Sequence, residues 1–255
     1  MHNPLSPCPI SIFKNPAVRN KAAGDAAFLT ADGYEKALRE ISSWPGYQPT
    51  PLIPLPGLAR AAGLGAIWYK DEGGRFGLGS FKALGGAYAI SRHLIDTIRD
   101  TTGETATTAD LIEGKYGAQT SKITVTSATD GNHGRSVAWG AKMFGCQCVI
   151  YIHATVSEGR KLTIENFGAT VVRIDGNYDD SVRQAASDAV KFNRQVISDT
   201  SYDGYMETPK HVMYGYGVMA SEVVEQLSGE RPTHVFIQGG CGGFAAAVFA
   251  YLQQC

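Results

Sequence analysis

The sequence has no apolar run approaching the roughly 20 residues that span a bilayer, and no charged-then-apolar leader at its start. A membrane-spanning helix and a secretory signal are therefore not expected. Charge of either sign is not in excess: 23 Lys and Arg stand against 24 Asp and Glu, a net charge of -1. Without a basic field, neither nucleic acid nor an anionic membrane is an expected partner. Cysteine is scarce, with 5 in 255 residues. Cys8, Cys146, Cys148, Cys241 and Cys255 are odd in number and scattered, which excludes a disulfide scaffold and favours a reducing compartment. The C-x-C of Cys146 and Cys148 would point both thiols to one face of a strand and reads as packing, so no metal is expected. Lys14, Arg19 and Lys21 precede the first acid, Asp25, as in a transit peptide, but Pro4, Pro7, Pro9 and Pro16 oppose an amphipathic helix. The cytoplasm is the expected location.

Glycine, by contrast, is abundant at 30 residues, as tight βα turns demand. From residue 123 onward β-branched runs alternate with helical patterns. Strands are expected at Ile123–Thr126, Cys148–Ile152, Thr170–Ile174, Gln195–Ile197 and His234–Ile237. Helices are expected at Asn132–Phe144, Ser157–Phe167, Asp179–Asn193 and Lys210–Leu227. Continuous apolar strands joined by crossover helices predict an α/β fold with a parallel sheet covered on both faces. The first 65 residues are less regular, and Pro45, Pro49, Pro51, Pro54 and Pro56 read as an extended connector. A strand at Ala66–Lys70, a helix at Phe81–Ile95 and a polar loop at Asp100–Ala109 follow.

Ligands of open α/β sheets bind beyond the carboxyl ends of the strands, which directs attention to four segments. Gln238-Gly239-Gly240-Cys241-Gly242-Gly243 follows an expected strand and opens a helix at Phe244–Gln253. Its glycines would let amide groups and a helix N-terminus approach a phosphate. It lacks the Lys-Ser or Lys-Thr of a P-loop, and the acid that a dinucleotide site needs about 20 residues on would lie beyond Cys255. Gly73 to Lys82 places Lys82 in the first turn of a helix, where a cation opposes the macrodipole. It is either a surface lysine or, if desolvated, an amine able to attack an aldehyde. In Thr129 to Gly134, Asp130 is either a helix N-cap or a carboxylate facing a substrate, Asn132 a ligand contact or an Asx-turn, and His133 a packing residue. Asp199, in Ser198 to Gly204, is a cap or a charged contact.

Together, Ser80-Phe81-Lys82, Gly131-Asn132-His133 and the glycine loop at 239–243 resemble, in order and spacing, the pyridoxal-phosphate enzymes of the tryptophan-synthase-β type, fold type II. Lys70-Asp71-Glu72, Arg75-Phe76-Gly77-Leu78, Thr129 to Arg135, Asn177-Tyr178-Asp179-Asp180 and Asp199-Thr200 resemble the diaminopropionate ammonia-lyase family within that group. The resemblance implies pyridoxal 5'-phosphate held covalently by Lys82. Its phosphate would lie in the loop of Gly239, Gly240, Cys241, Gly242 and Gly243, and its ring hydroxyl near Asn132. It implies α,β-elimination of 2,3-diaminopropionate to pyruvate and two ammonia, an amino-acid catabolic reaction. Lys82 and Asp130 would act as bases on opposite faces, with Asp199 at the substrate's amino group. A threonine or serine dehydratase-like lyase is the alternative.

The resemblance also implies a small α/β domain at 91–208, inserted between 1–90 and 209–255 of a larger domain. Members of the family run longer, so the large domain reads as truncated at its C-terminus. The expectation is a homodimer when full length, with the 255-residue chain itself an inactive fragment.

Overall fold

The computed structural model describes residues 28–129 and 131–255. Asp130, and the segment holding Lys14, Arg19, Lys21 and the four early prolines, lie outside the described residues. The proline-rich connector is flanked by a helix that periodicity did not reveal. Helix α1 (Ala31–Ser42) starts at Thr30, whose hydroxyl accepts the Gly33 amide, and buries Tyr34, Ala37 and Ile41 at three- and four-residue spacing. Strand β1 (Leu52–Pro54), helix α2 (Pro56–Ala62) and strand β2 (Trp68–Lys70) follow, the two strands pairing antiparallel with Leu52 opposite Lys70.

Helix α3 (Lys82–Thr102) is longer than expected and takes over the first residues of the supposed loop at 100–109. The threonines that read as loop are a helix end: Thr101 and Thr102 return their hydroxyls to the carbonyls of Thr97 and Ile98. Gly103, at φ 75°, stops the helix. A reciprocal Thr107–Asp110 capping box then starts α4 (Thr108–Ile112), ahead of the short α5 (Gly117–Thr120).

Next comes the expected alternation: β3 (Thr124–Ala128), α6 (Asn132–Phe144), β4 (Gln147–His153), α7 (Glu158–Glu165), β5 (Thr170–Ile174), α8 (Tyr178–Lys191) and β6 (Gln195–Val196). The motif Asn177 to Asp180 serves as the capping box of α8. The four strands are parallel in the order β5-β4-β3-β6. From β3 the chain steps outward twice, then returns to the far side of β3 as β6. Right-handed crossovers therefore put α6 and α7 on one face and α8 on the other. The reversal makes the gap between β3 and β6 the switch point, where ligands of such sheets bind.

Two further helices, α9 (Glu207–Gln226) and α10 (Gly243–Gln254), pack with α1 and α3. Gly215 of α9 allows the close crossing, since a Cβ there would lie 2.4 Å from the Leu84 carbonyl of α3. The expected strand at His234–Ile237 does not form. A strand exists only by pairing, no described neighbour bonds to it, and Phe236 is 94% exposed. Among the described residues no helix is long and apolar enough to cross a membrane.

Candidate active site

Lys82 is carried into the switch point by a sharp turn. A 3-10 turn at Glu72–Gly77 leads to Gly79, at φ 71°, and the Ser80 hydroxyl accepts the Lys82 amide at 3.2 Å. The Lys82 ammonium lies against the Asp199 carboxylate in a direct ion pair. It also sits 5.6 Å from the ring centre of Phe81 and 5.4 Å from that of Tyr216.

Asp199 follows β6 on a short loop fastened by Tyr205. That phenol donates to the Val196 carbonyl at 2.8 Å and accepts the Ser198 amide at 3.0 Å; burial pushes its pKa up to about 12. Burial alone would raise the Asp199 carboxyl, but the charges of His133 and Lys82 outweigh it and hold the group down at about 2. His133 comes from the turn after β3 and closes the switch point from the other side. Its Nε2 donates to the Ile197 carbonyl at 2.9 Å, leaving Nδ1 without a partner, 3.8 Å from the Asp199 carboxylate. The Thr129 hydroxyl accepts the Gly131 and Gly134 amides and so secures the turn that delivers His133.

Opposite Lys82 lies the glycine loop. Gly242 takes φ 87° and leads into α10, whose first turn no side chain caps. Phe244, on that turn, stacks on Phe81 with ring centres 4.1 Å apart. The loop, Lys82, Asp199 and Tyr216 enclose a cleft with about 410 Å³ of empty space, part of it open to solvent. Among the described residues no group of His, Cys, Asp and Glu is placed to hold a metal ion.

Residues 43–254 match the family of pyridoxal-phosphate-dependent enzymes. The chain belongs to that family. It is 42% identical to a curated diaminopropionate ammonia-lyase of Escherichia coli K12 over 232 residues, 90% of this chain and 57% of that protein. The corresponding protein of Salmonella typhimurium LT2 is 39% identical over 213 residues, 82% of this chain and 52% of the relative. The crystal structure of the Escherichia coli lyase in complex with D-serine superposes with a TM-score of 0.81 at 39% identity, covering 88% of this chain and 57% of that one. The chain thus spans little more than half the length of the curated relatives it matches.

The residues of the cleft fit the family's cofactor, pyridoxal phosphate. It needs an amine for its aldehyde, amide donors for its phosphate and a slot for a flat ring. Lys82 supplies the amine, and the uncapped N-terminus of α10 supplies the donors. A Cβ built at Gly239, Gly240 or Gly242 would meet nothing within 4 Å, so open space adjoins the loop, and Gly242, at φ 87°, takes a backbone conformation that favours glycine. Of the residues expected at the site, Lys82, Asp199, Gly240, Cys241, Gly242 and Gly243 line one cleft, and Gly239 is in the same loop. Asn132 opens α6 as an exposed residue and does not line the cleft. Tyr216 and Phe244 were not anticipated there, and Gln238 only as the residue that opens the glycine segment. The alternation Tyr214-Gly215-Tyr216-Gly217 was the available signal, because glycines between aromatics in a helix mark a close packing seam.

The motif Lys70-Asp71-Glu72 with Arg75 builds a different structure. Arg75 is 1% exposed. Its guanidinium pairs with both oxygens of Glu222 at 2.7 Å, with both of Glu72, and with the Gln48 carbonyl. Lys70 reaches Glu222 at 2.7 Å, and the Tyr47 hydroxyl and Thr50 amide complete that carboxylate. Burial opposes ionisation of Glu222, yet Arg75 and Lys70 lower its pKa. The cluster clamps the segment ahead of Lys82 onto α9.

Proposed function

We propose that the chain carries the cofactor-binding part of a lyase that converts 2,3-diaminopropionate and one water to pyruvate and two ammonia. The observation that carries this reading is the half-buried pairing of Lys82 with Asp199 beside a glycine cradle, in a chain 42% identical to a diaminopropionate ammonia-lyase. When bound, pyridoxal phosphate withdraws electrons from the substrate's α-carbon, which makes its proton removable and its β-substituent expellable. Lys82 would hold the cofactor through its amine and would take the Cα proton on its own face. Asp199, ionised far below neutral pH, pairs with the substrate's amino group and steadies it as a cation. His133 holds the loop of Asp199 in place through the Ile197 carbonyl. Asp130 is proposed, from sequence resemblance, as the base for the opposite face, which would admit both D and L isomers. Asn132 is proposed on the same ground near the cofactor's ring hydroxyl.

The proposal extends to a homodimer, a cytoplasmic setting and a small domain at 91–208 within a larger one. The free thiols of Cys146, Cys148, Cys241 and Cys255 fit a reducing compartment. The test is keto-acid release from D- and L-diaminopropionate, L-threonine and D- and L-serine by the cofactor-loaded, full-length protein. Pyruvate from both diaminopropionates is expected, and Asp130→Asn should depress the D isomer far more than the L. Keto acid from the hydroxyamino acids alone would overturn the reading in favour of a dehydratase.

A further inference from the structure

Four buried side-chain atoms among the described residues lack a hydrogen-bond partner: Trp44 Nε1, His133 Nδ1, Arg135 Nε and the Tyr216 hydroxyl. Of these residues only Tyr216 lines the cleft. A buried hydroxyl without a partner is costly, and such a group in a native fold calls for an explanation. We propose that Tyr216 donates a hydrogen bond to a phosphate oxygen of the bound cofactor, an inference that rests on pyridoxal phosphate occupying this cleft.

The phenol is fixed in place. Its ring meets Phe81 edge-on at 5.1 Å and Phe244 at 6.0 Å. Gly85 leaves room for it: a Cβ at that position would lie 2.5 Å from a Tyr216 ring carbon. Burial, then the nearby Asp199 and Cys241, keep the phenol protonated far beyond its ordinary range, so it is a donor. Asp199 is already paired with Lys82, which leaves the glycine-loop side of the cleft for the hydroxyl to serve. That loop, Gln238 to Gly243, has no Ser, Thr, Lys or Arg. Its backbone amides are therefore without the hydroxyl or cation that phosphate loops commonly add, and Tyr216 supplies one from the neighbouring helix.

Tyr216→Phe tests the inference because it retains the ring that packs on Phe81, Phe244 and Gly85. Wild type and variant would be titrated with pyridoxal phosphate and with pyridoxal, which lacks the phosphate, by absorbance and by quenching of intrinsic fluorescence. Thermal midpoints would be taken without cofactor. The variant should bind pyridoxal phosphate about 10- to 100-fold more weakly, the worth of a hydrogen bond to a charged group. It should bind pyridoxal as well as the wild type does, and its cofactor-free midpoint should not fall. Unchanged affinity for pyridoxal phosphate, equal losses for both compounds, or a lowered cofactor-free midpoint would each overturn the role. Failure of the wild type to bind pyridoxal phosphate would instead overturn the cofactor's place in the cleft, and this inference with it.

Discussion

Two charge clusters flank the segment from Glu72 to Lys82, one closed by Glu222 of α9 and the other by Asp199 on the loop after β6, yet they are finished differently. Around Arg75 and Glu222 every charged group has its partners, from Tyr47, Thr50, Lys70 and Glu72 as well as from each other. Around Lys82 and Asp199 the pairing is incomplete, because His133 Nδ1 and the Tyr216 hydroxyl have no partner. A saturated network has nothing to offer a ligand and serves as a clamp. An unsaturated one, opening on a cleft, keeps donors and charges in reserve. The comparison separates structure from chemistry in a region where the sequence alone shows only a run of charged and glycine residues.

Striking the clamp should have the gravest consequence. Glu222→Gln keeps the shape of the side chain but leaves Arg75 and Lys70 buried without their shared counter-charge, and should cost about 3–5 kcal/mol in urea unfolding at neutral pH. Cofactor affinity of the remaining folded protein should be preserved; a large affinity loss without a stability loss would show that the two clusters are not separable. Asp199 has its pKa lowered from 3.8 to about 2, so its contribution to stability is complete above the unfolded value and is lost as pH falls through the folded one. In the cofactor-free protein, wild type should exceed Asp199→Asn by about 2 kcal/mol near neutrality, the gap closing between about pH 5 and pH 2. A gap that does not vary with pH would contradict the electrostatic account of this pair. The smallest effect is expected at a pair belonging to neither cluster: Arg39 and Glu35 meet at 3.8 Å on the open face of α1, at 66% and 69% exposure. Glu35→Gln should change stability by less than about 0.5 kcal/mol, and a larger change would undermine the use of saturation and burial as the criterion.

The parallel sheet was readable because its strands are β-branched runs set between turn residues, and the helix Asn132–Phe144 and strand Thr170–Ile174 stand where the pattern placed them. The run His234–Ile237 has the same composition but no described neighbour to pair with, and local propensity cannot supply one. Helix α1 lies in the less regular first 65 residues, where only Tyr34, Ala37 and Ile41 carry the helical period. At the site, Lys82, Asp199 and the glycine loop were readable because their residue types are unusual where they stand. Tyr216 was not, since an aromatic in a buried helix looks like core until its hydroxyl is seen to have no partner.

The cleft beside Asp199 is proposed to hold pyridoxal phosphate through Lys82. The direct measurement is to load the protein with the cofactor, reduce it with borohydride, and map the modified peptide by mass spectrometry. The account predicts that the cofactor becomes fixed on the peptide containing Lys82 and that Lys82→Ala retains none. Stable attachment at another lysine, or equal labelling of Lys82→Ala, would contradict it.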